Sequence, residues 1–308
     1  MNKNKALVLI DNNDNGFFPS SVDNANIETI YKSNSKAYRI FRKIVLKFNL
    51  PFKKCILGKW SKIAEDFNTI ILFDTGNAKY LLRYLLKEYK EKRIILWFWN
   101  SVEKTINPNE INRDNVELWS FDPYDCEKYH MNYNTQFFVK ENISKINVSA
   151  DLDKHSDVFF VGTDKGRFEA LMQLKEKFDE KSISYNYHIV GEKNESSEWE
   201  YKSPITYMEI LTNDYKSKAV LDIVSQGQRG LTLRPLEALY LEKKLITNFK
   251  RIVEYDLYCK ENVFILGVDS VDSIDEFISA TYVKRNTNEL KEKYSMEQWI
   301  KRFNMEAK

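Results

Sequence analysis

The sequence predicts an α/β fold made of two successive parallel-sheet units. Three observations carry that expectation. At 308 residues the chain is long enough for two domains. Short continuous apolar runs alternate with amphipathic stretches, as buried parallel strands do when helices join them. The alternation breaks once, over polar residues 142–156, and then resumes.

The first series opens with Ala6–Ile10, a buried-strand run that ends at Asp11 and an Asx-rich loop. Lys36 to Phe48 places Tyr38, Phe41, Ile44, Val45 and Phe48 at helical spacing, which predicts a core-facing stripe. Thr69–Phe73 is a second strand, running into Asp74-Thr75-Gly76-Asn77 and a helix with Leu81, Leu82, Leu85 and Leu86. Arg93–Trp99 and Val116–Phe121 are a third and a fourth strand, ending at Asn100 and Asp122. In the second series, strands are predicted at 157–161, 184–190, 219–224, 244–247 and 263–266. Helices are predicted at 168–178, 206–211, 233–241 and 273–280. A single tail helix from Glu289 to Phe303 is anchored by Tyr294, Trp299, Ile300 and Phe303. The expected domains are therefore 1–150 and 151–285, with 286–308 a terminal helix returning to the first. The architecture is two Rossmann-like domains facing a cleft, with ligands at the carboxyl ends of strands.

Composition narrows the function. Lys and Arg number 47 against 45 Asp and Glu, a net charge of +2, which gives no support to a general nucleic-acid grip. Cys55, Cys126 and Cys259 are far apart and form no CxxC spacing, so neither a zinc site nor a disulfide framework is expected and a reduced cytoplasmic setting fits. His130, His155 and His188 show no metal-ligand spacing. No apolar run approaches the ~20 residues of a membrane span.

Glycine is scarce, nine in all, yet four fall in two loops that join a predicted strand to a predicted helix. The first is Gly162-Thr163-Asp164-Lys165-Gly166-Arg167. Amides at a helix start suit phosphate, and Lys165 and Arg167 add positive charge; a tight turn with solvated charges is the plainer alternative. The second runs from Gln226 through Gly227, Gly230, Leu231, Thr232 and Arg234 to Glu237. Thr232 is the expected helix N-cap and Pro235 suits the first turn. An exposed helix start of this kind would offer amides and Arg229 or Arg234 to a diphosphate, and Glu237 to the hydroxyls of a ribose; a capped surface helix with an ordinary charged face is the plainer alternative.

The stretch VLDIVSQGQRGLTLRPLEALYLEKKLITN resembles the donor-site segment of GT-B glycosyltransferases of bacterial capsule and lipopolysaccharide synthesis. FFVGTDKGRFEALMQL is similar to the first strand, loop and helix of the same domain. The resemblance implies a nucleotide-sugar co-substrate, UDP-sugar favoured, with no resident cofactor and no catalytic metal. It carries the ribose-binding role to Glu237 and the diphosphate-binding amides to Gly230, Leu231 and Thr232. Many retaining members carry a second acid eight residues before that glutamate; here the position is Arg229. An Asp-x-Asp triplet at Asp151-Leu152-Asp153 lies in the polar stretch rather than after a strand, and is read as coincidence.

The acceptor, a saccharide or a lipid-linked saccharide, is expected on the N-terminal domain. Its candidate acids stand at strand ends: Asp11, Asp14, Asp74 and Asp122, with Asp11 and Asp74 as candidate bases and Arg234 as the cation aiding departure. For Asp74 a helix cap is the plainer reading. A lipid-linked acceptor implies peripheral contact with the inner face of a membrane, although the mixed-charge tail is no basic membrane helix. A hydrolysing nucleotide-sugar 2-epimerase and a non-catalytic partner subunit are the alternatives.

Overall fold

The computed structural model describes residues 5–11, 15–75, 78–146, 155–191, 199–225, 227 and 229–305. The chain divides into two compact units. The first comprises Met1–Asp14, Phe18–Thr135 and Met296–Lys308; the second comprises Asn15–Phe17 and Gln136–Ser295.

In the first unit the strands are β1 (Ala6–Ile10), β2 (Ser21–Val22), β3 (Ala25–Thr29), β4 (Thr69–Phe73), β5 (Arg93–Phe98), β6 (Val116–Ser120) and β7 (Asn132–Tyr133). They form one sheet in the order β2-β3-β1-β4-β5-β6-β7. All pairings are parallel except the short β2–β3 hairpin, whose turn uses Asn24 in the left-handed region at φ 70°. Leu9 pairs with Leu72 and Ile71 with Ile95, so the centre of the sheet is apolar on both faces. The helices are α1 (Lys36–Lys47), α2 (Lys53–Ile56), α3 (Ala78–Glu88), α4 (Pro123–Tyr129) and, from the chain's end, α10 (Met296–Met305).

α10 covers an aromatic face of this sheet. Trp299 lies 5.2 Å from Trp97 and 5.8 Å from Phe73, and Phe303 lies 4.9 Å from Trp119, ring centroid to ring centroid. The tilted and edge-on geometries are those that aromatic quadrupoles prefer. Asn134 and Thr135 clasp the same helix: the Asn134 amide donates to Trp299 O, and Arg302 donates to Asn134 Oδ1 and Thr135 Oγ1.

The second unit contains β8 (Ser156–Thr163), α5 (Phe168–Glu180), β9 (Tyr185–Val190), α6 (Tyr207–Lys216) and β10 (Ser217–Asp222). They are followed by α7 (Arg234–Leu241), β11 (Lys244–Thr247), β12 (Val263–Ile265), α8 (Ile274–Ser279) and α9 (Thr287–Lys293). Its sheet is fully parallel, in the order β12-β11-β10-β8-β9. The chain leaves β8 toward β9 and then returns to β10 on the other side of β8. The strand order therefore reverses between β8 and β10, where a parallel sheet opens a crevice beyond its carboxyl ends.

Four details differ from the sequence reading. β2, β3 and β7 were not anticipated, because they are short or carry mixed polarity. The stripe on α1 is largely exposed: Val45 and Leu46 are buried, whereas Phe41, Ile44 and Phe48 face out. The single tail helix is two helices, interrupted at Tyr294–Ser295, where Tyr294 O accepts from the Phe138 amide. The two units divide at Thr135–Gln136, ahead of the polar stretch 142–156, because Phe137, Phe138 and Val139 are fully buried; Phe138 stacks on Tyr240 within the second unit. Residues 147–154 of that stretch, including Asp151-Leu152-Asp153, lie outside the described residues.

Trp299 is fully buried, so Trp299→Ala should lower stability by about 3–5 kcal/mol. Urea denaturation checks this, and a loss below about 1 kcal/mol would make α10 peripheral to the first core.

Candidate functional site

The loops flanking the switch point of the second sheet follow β8 and β10. After β8 the backbone turns through Lys165 and Gly166, both left-handed at φ 43° and 79°. Glycine meets that demand at the second position without strain. Asp164 closes the turn: its Oδ1 accepts from the amides of Arg167 (3.2 Å) and Phe168 (3.1 Å), and its Oδ2 accepts from the Tyr201 hydroxyl (2.7 Å). The Tyr201 bond, with those amides, holds the Asp164 carboxyl below its usual range. The first amides of α5 are thus capped from within the loop. The sequence reading did not single out Asp164, which stands four residues before the start of α5 rather than at its N-cap, Arg167.

Arg167 folds back from the helix start. Its Nη1 donates to Thr163 O at 2.9 Å. A Cβ on Gly162 would stand 3.1 Å from that same nitrogen and 3.3 Å from the Phe160 ring, so glycine is what leaves room for the guanidinium. Burial works against the Arg167 charge, and the carboxylates of Asp222 and Asp164 support it. Lys165 and Thr163 are exposed beside it.

Asp222, the last residue of β10, was also not singled out. It is buried, and its Oδ1 accepts from Thr232 Oγ1 (3.2 Å) and its Oδ2 from Thr247 Oγ1 (3.1 Å). Burial raises its pKa, opposed by those hydroxyls and by Arg234 and Arg167. One carboxylate therefore ties the loop before α7 to the end of β11, and its charge supports that of Arg167 after β8. Asn248 continues the tie, its Oδ1 accepting from the Val224 amide at 2.8 Å. Thr232 is thereby committed to Asp222 and does not cap α7. The helix begins at Arg234, and the Leu236 and Glu237 amides donate to Leu233 O. Gly227 is left-handed at φ 85°; Gly230 and Leu231 are buried; Gln226 and Gln228 lie outside the described residues.

Arg234 and Glu237 correct an expectation. Rather than standing at an exposed helix start, Glu237 is 2% exposed, and Arg234 is clamped between two acids. Arg234 Nη1 and Nη2 reach Asp214 Oδ2 and Oδ1 at 2.9 and 2.6 Å, a bidentate pair, and Nη1 reaches Glu237 Oε2 at 2.5 Å. Asp214, near the end of α6, is fully buried. Burial pushes its carboxyl up, against the pull of Arg234. Burial also disfavours the Arg234 charge, and Asp214 and Glu237 more than restore it, so its pKa is raised. The Tyr207 hydroxyl is held well above its usual range by burial and then by the Glu237 charge. No local signal near Arg234 marks Asp214, which lies on the preceding helix.

The remaining candidates belong to the first unit. Asp11, at the end of β1, lies 3.4 Å from Arg42 Nη2; burial raises its carboxyl pKa, and Arg42 and Arg39 oppose the rise. Asp74, at the end of β4, accepts from the Trp99 amide at 2.8 Å, at the exit of β5; residues 76 and 77, whose amides a helix cap would engage, lie outside the described residues. Burial pushes its carboxyl up to about 6, against bonds from Trp99, Asn100 and Thr105. Asp122 caps α4, accepting from the Tyr124 amide. Asp14, Gly76 and Asn77 lie outside the described residues. His155 and His188 are engaged with the carbonyls of Lys216 and Ser203, and His130 ends α4 in a left-handed conformation.

Two outcomes follow from these burials. Removing one partner of a buried ion pair leaves the others uncompensated, so Arg234→Ala and Glu237→Ala should each destabilise the chain, the first by about 3–5 kcal/mol in chemical denaturation. A loss under about 1 kcal/mol for Arg234→Ala would mean that the carboxylates re-solvate. Asp74 has a raised folded pKa, so its contribution to stability is fully present below its unfolded value of 3.8 and is lost as pH rises through about 6. The Asp74→Asn variant should therefore show a flatter stability profile between about pH 4 and 6, by on the order of 2 kcal/mol. An identical slope in both proteins would place the titration elsewhere.

No family model matches the chain, and no curated protein matches it. Solved structures do. Sucrose-phosphate synthase from Thermosynechococcus elongatus matches at a TM-score of 0.55 and 8% identity, over 97% of each chain. AviGT4, a glycosyltransferase involved in avilamycin A biosynthesis, matches at 0.53 and 9%, over 97% of this chain and 96% of the other. The UDP-GlcNAc 2-epimerase of Methanocaldococcus jannaschii, solved with UDP-GlcNAc and UDP, matches at 0.51 and 12%, over 97% and 98%. At these identities the likeness speaks for the fold. Its extent along both chains, with the two parallel sheets described above, gives this protein the two-domain α/β fold of GT-B glycosyltransferases and nucleotide-sugar epimerases.

Proposed function

We propose that the chain is a metal-independent glycosyltransferase of the hexosyl-transferring type. It takes a nucleotide sugar, UDP-sugar favoured, at the switch point of the second sheet. The observation that carries this reading is the pair of loops flanking the switch point: the loop after β10 is pinned by Asp222 through Thr232, and in the loop after β8 Gly162 leaves room for the Arg167 guanidinium. The donor diphosphate lies against Gly230, Leu231 and Thr232, with Arg167 and Lys165 supplying positive charge. Arg234 and Glu237 act there as positioning residues, since each already satisfies the other and Glu237 is buried. Departure of the diphosphate builds negative charge, which these cations and amides stabilise. The acceptor hydroxyl needs a base, and Asp74, whose carboxyl burial pushes up to about 6, is the one we favour over Asp11.

The acceptor we favour is a saccharide or lipid-linked saccharide of bacterial surface polysaccharide synthesis, a capsule or a lipopolysaccharide precursor. The likeness to an epimerase solved with UDP-GlcNAc supports a second reading, a hydrolysing 2-epimerase. Incubation with UDP-sugar and no acceptor separates the two: the transferase leaves the donor largely intact, whereas the epimerase releases UDP and the epimerised sugar.

Calorimetric titration with UDP, GDP and CDP tests the donor site. Arg167→Ala should weaken UDP binding roughly 10- to 100-fold, the range of a charge-assisted phosphate contact. Unchanged affinity would remove Arg167 from the site.

A further inference from the structure

Between Glu28 and Glu65 the chain contains ten Lys and Arg and no Asp or Glu. That segment includes α1 and α2, and it carries an unusual set of exposed apolar side chains. Ile40, Phe41, Ile44, Phe48 and Phe52 are 58%, 44%, 45%, 65% and 54% exposed, and they make up half of the exposed large hydrophobics of the described residues. On α1 the three kinds of side chain are sorted. Arg42, Val45 and Leu46 face the core of the first unit. Ile40, Ile44 and Phe48 follow at i, i+4 and i+8, with Phe41 beside them, on one outer flank. Lys36, Arg39, Lys43 and Lys47 occupy the other, all exposed. Four further cations of the segment, Lys32, Lys54, Lys59 and Lys62, converge on one cavity of about 420 Å³, which Glu65 and Glu88 also line.

Each feature alone has an ordinary explanation. A basic segment is a solvated surface, and single exposed apolar residues are common. Together they select an occupant. A contiguous apolar strip beside a cationic strip matches the water–lipid boundary, where apolar side chains enter the acyl region and cations meet headgroup phosphates. Nucleic acid would use the cations and leave the phenylalanines and isoleucines in water. A second copy of this chain would cover the apolar strip and leave the cationic strip without a partner of opposite charge. At 12 residues α1 is shorter than the ~20 needed to cross a bilayer, so it would lie in the interface plane.

We propose that α1 and the Phe52 turn are a peripheral docking surface for an anionic phospholipid membrane. The surface is independent of the donor site and of the transfer reaction, so its test uses no nucleotide sugar. In flotation assays the full chain should rise with phosphatidylglycerol-containing phosphatidylcholine vesicles and stay behind with pure phosphatidylcholine. Phe41→Ser with Phe48→Ser, and separately Lys43→Glu with Lys47→Glu, should each lower the bound fraction at least roughly tenfold. All four positions are exposed, so the melting temperatures should match the parent's. If either double variant melts early, Ile40→Ser repeats the apolar test. Equal binding to both vesicle types, or unchanged binding of the apolar variant, would overturn the proposal. So would retention of duplex DNA without vesicle binding, or a solution dimer that the apolar variant abolishes without vesicle binding.

Discussion

A guanidinium held between two buried carboxylates organises the carboxyl edge of the second sheet. Arg234 joins Asp214 on α6 to Glu237 on its own helix, and so fixes where α7 begins. Asp222, a third buried acid, stands at the end of the strand between them and feels both Arg234 and Arg167. Through Thr232 and Thr247 it pins the loop before α7 to β11. The interaction is costly to assemble, because burial disfavours every charge in it, and each member is tolerable only with the others present. Its benefit is positional. It holds the start of α7 and the loop before it at the place where the parallel sheet diverges.

The first unit relies on a different constraint. Its sheet is apolar on both faces, and one face is completed by the last helix of the chain, through Trp299 and Phe303 against Trp97 and Trp119. Strand-end acids then serve the backbone before they serve any chemistry: Asp74 receives the Trp99 amide and Asp122 caps α4. Asp74 combines that structural bond with a carboxyl that burial pushes up to about 6.

Much of this architecture is written in short sequence runs. ALVLI, TIILF and RIILWF read as strands because a parallel strand buried on both faces needs no alternation. The edge strands escape notice: β7 is two exposed residues, and β3 mixes Asn and Glu with apolar positions. Periodicity identified α1 as a helix and mistook which side is buried, since a stripe of Phe and Ile reads alike whether it meets a core or a membrane. At the candidate site, the two glycine-bearing loops were legible from strand–loop–helix order. What was hidden is the partnership across sequence: Asp214 is twenty residues from Arg234, and nothing local marks it as the acid that withdraws Arg234 from solvent. Thr232 misled for the same reason, its hydroxyl being taken by Asp222 rather than by the helix start.

Placing the donor nucleotide at the switch point of the second sheet is the central claim, and hydrogen exchange on the full chain with and without UDP tests it most directly. Bound nucleotide should slow exchange at the amides of residues 163–167 and 229–233 together, because the loops flank the switch point between β8 and β10. Protection confined to one loop, or absent from both while UDP is bound, would contradict the account.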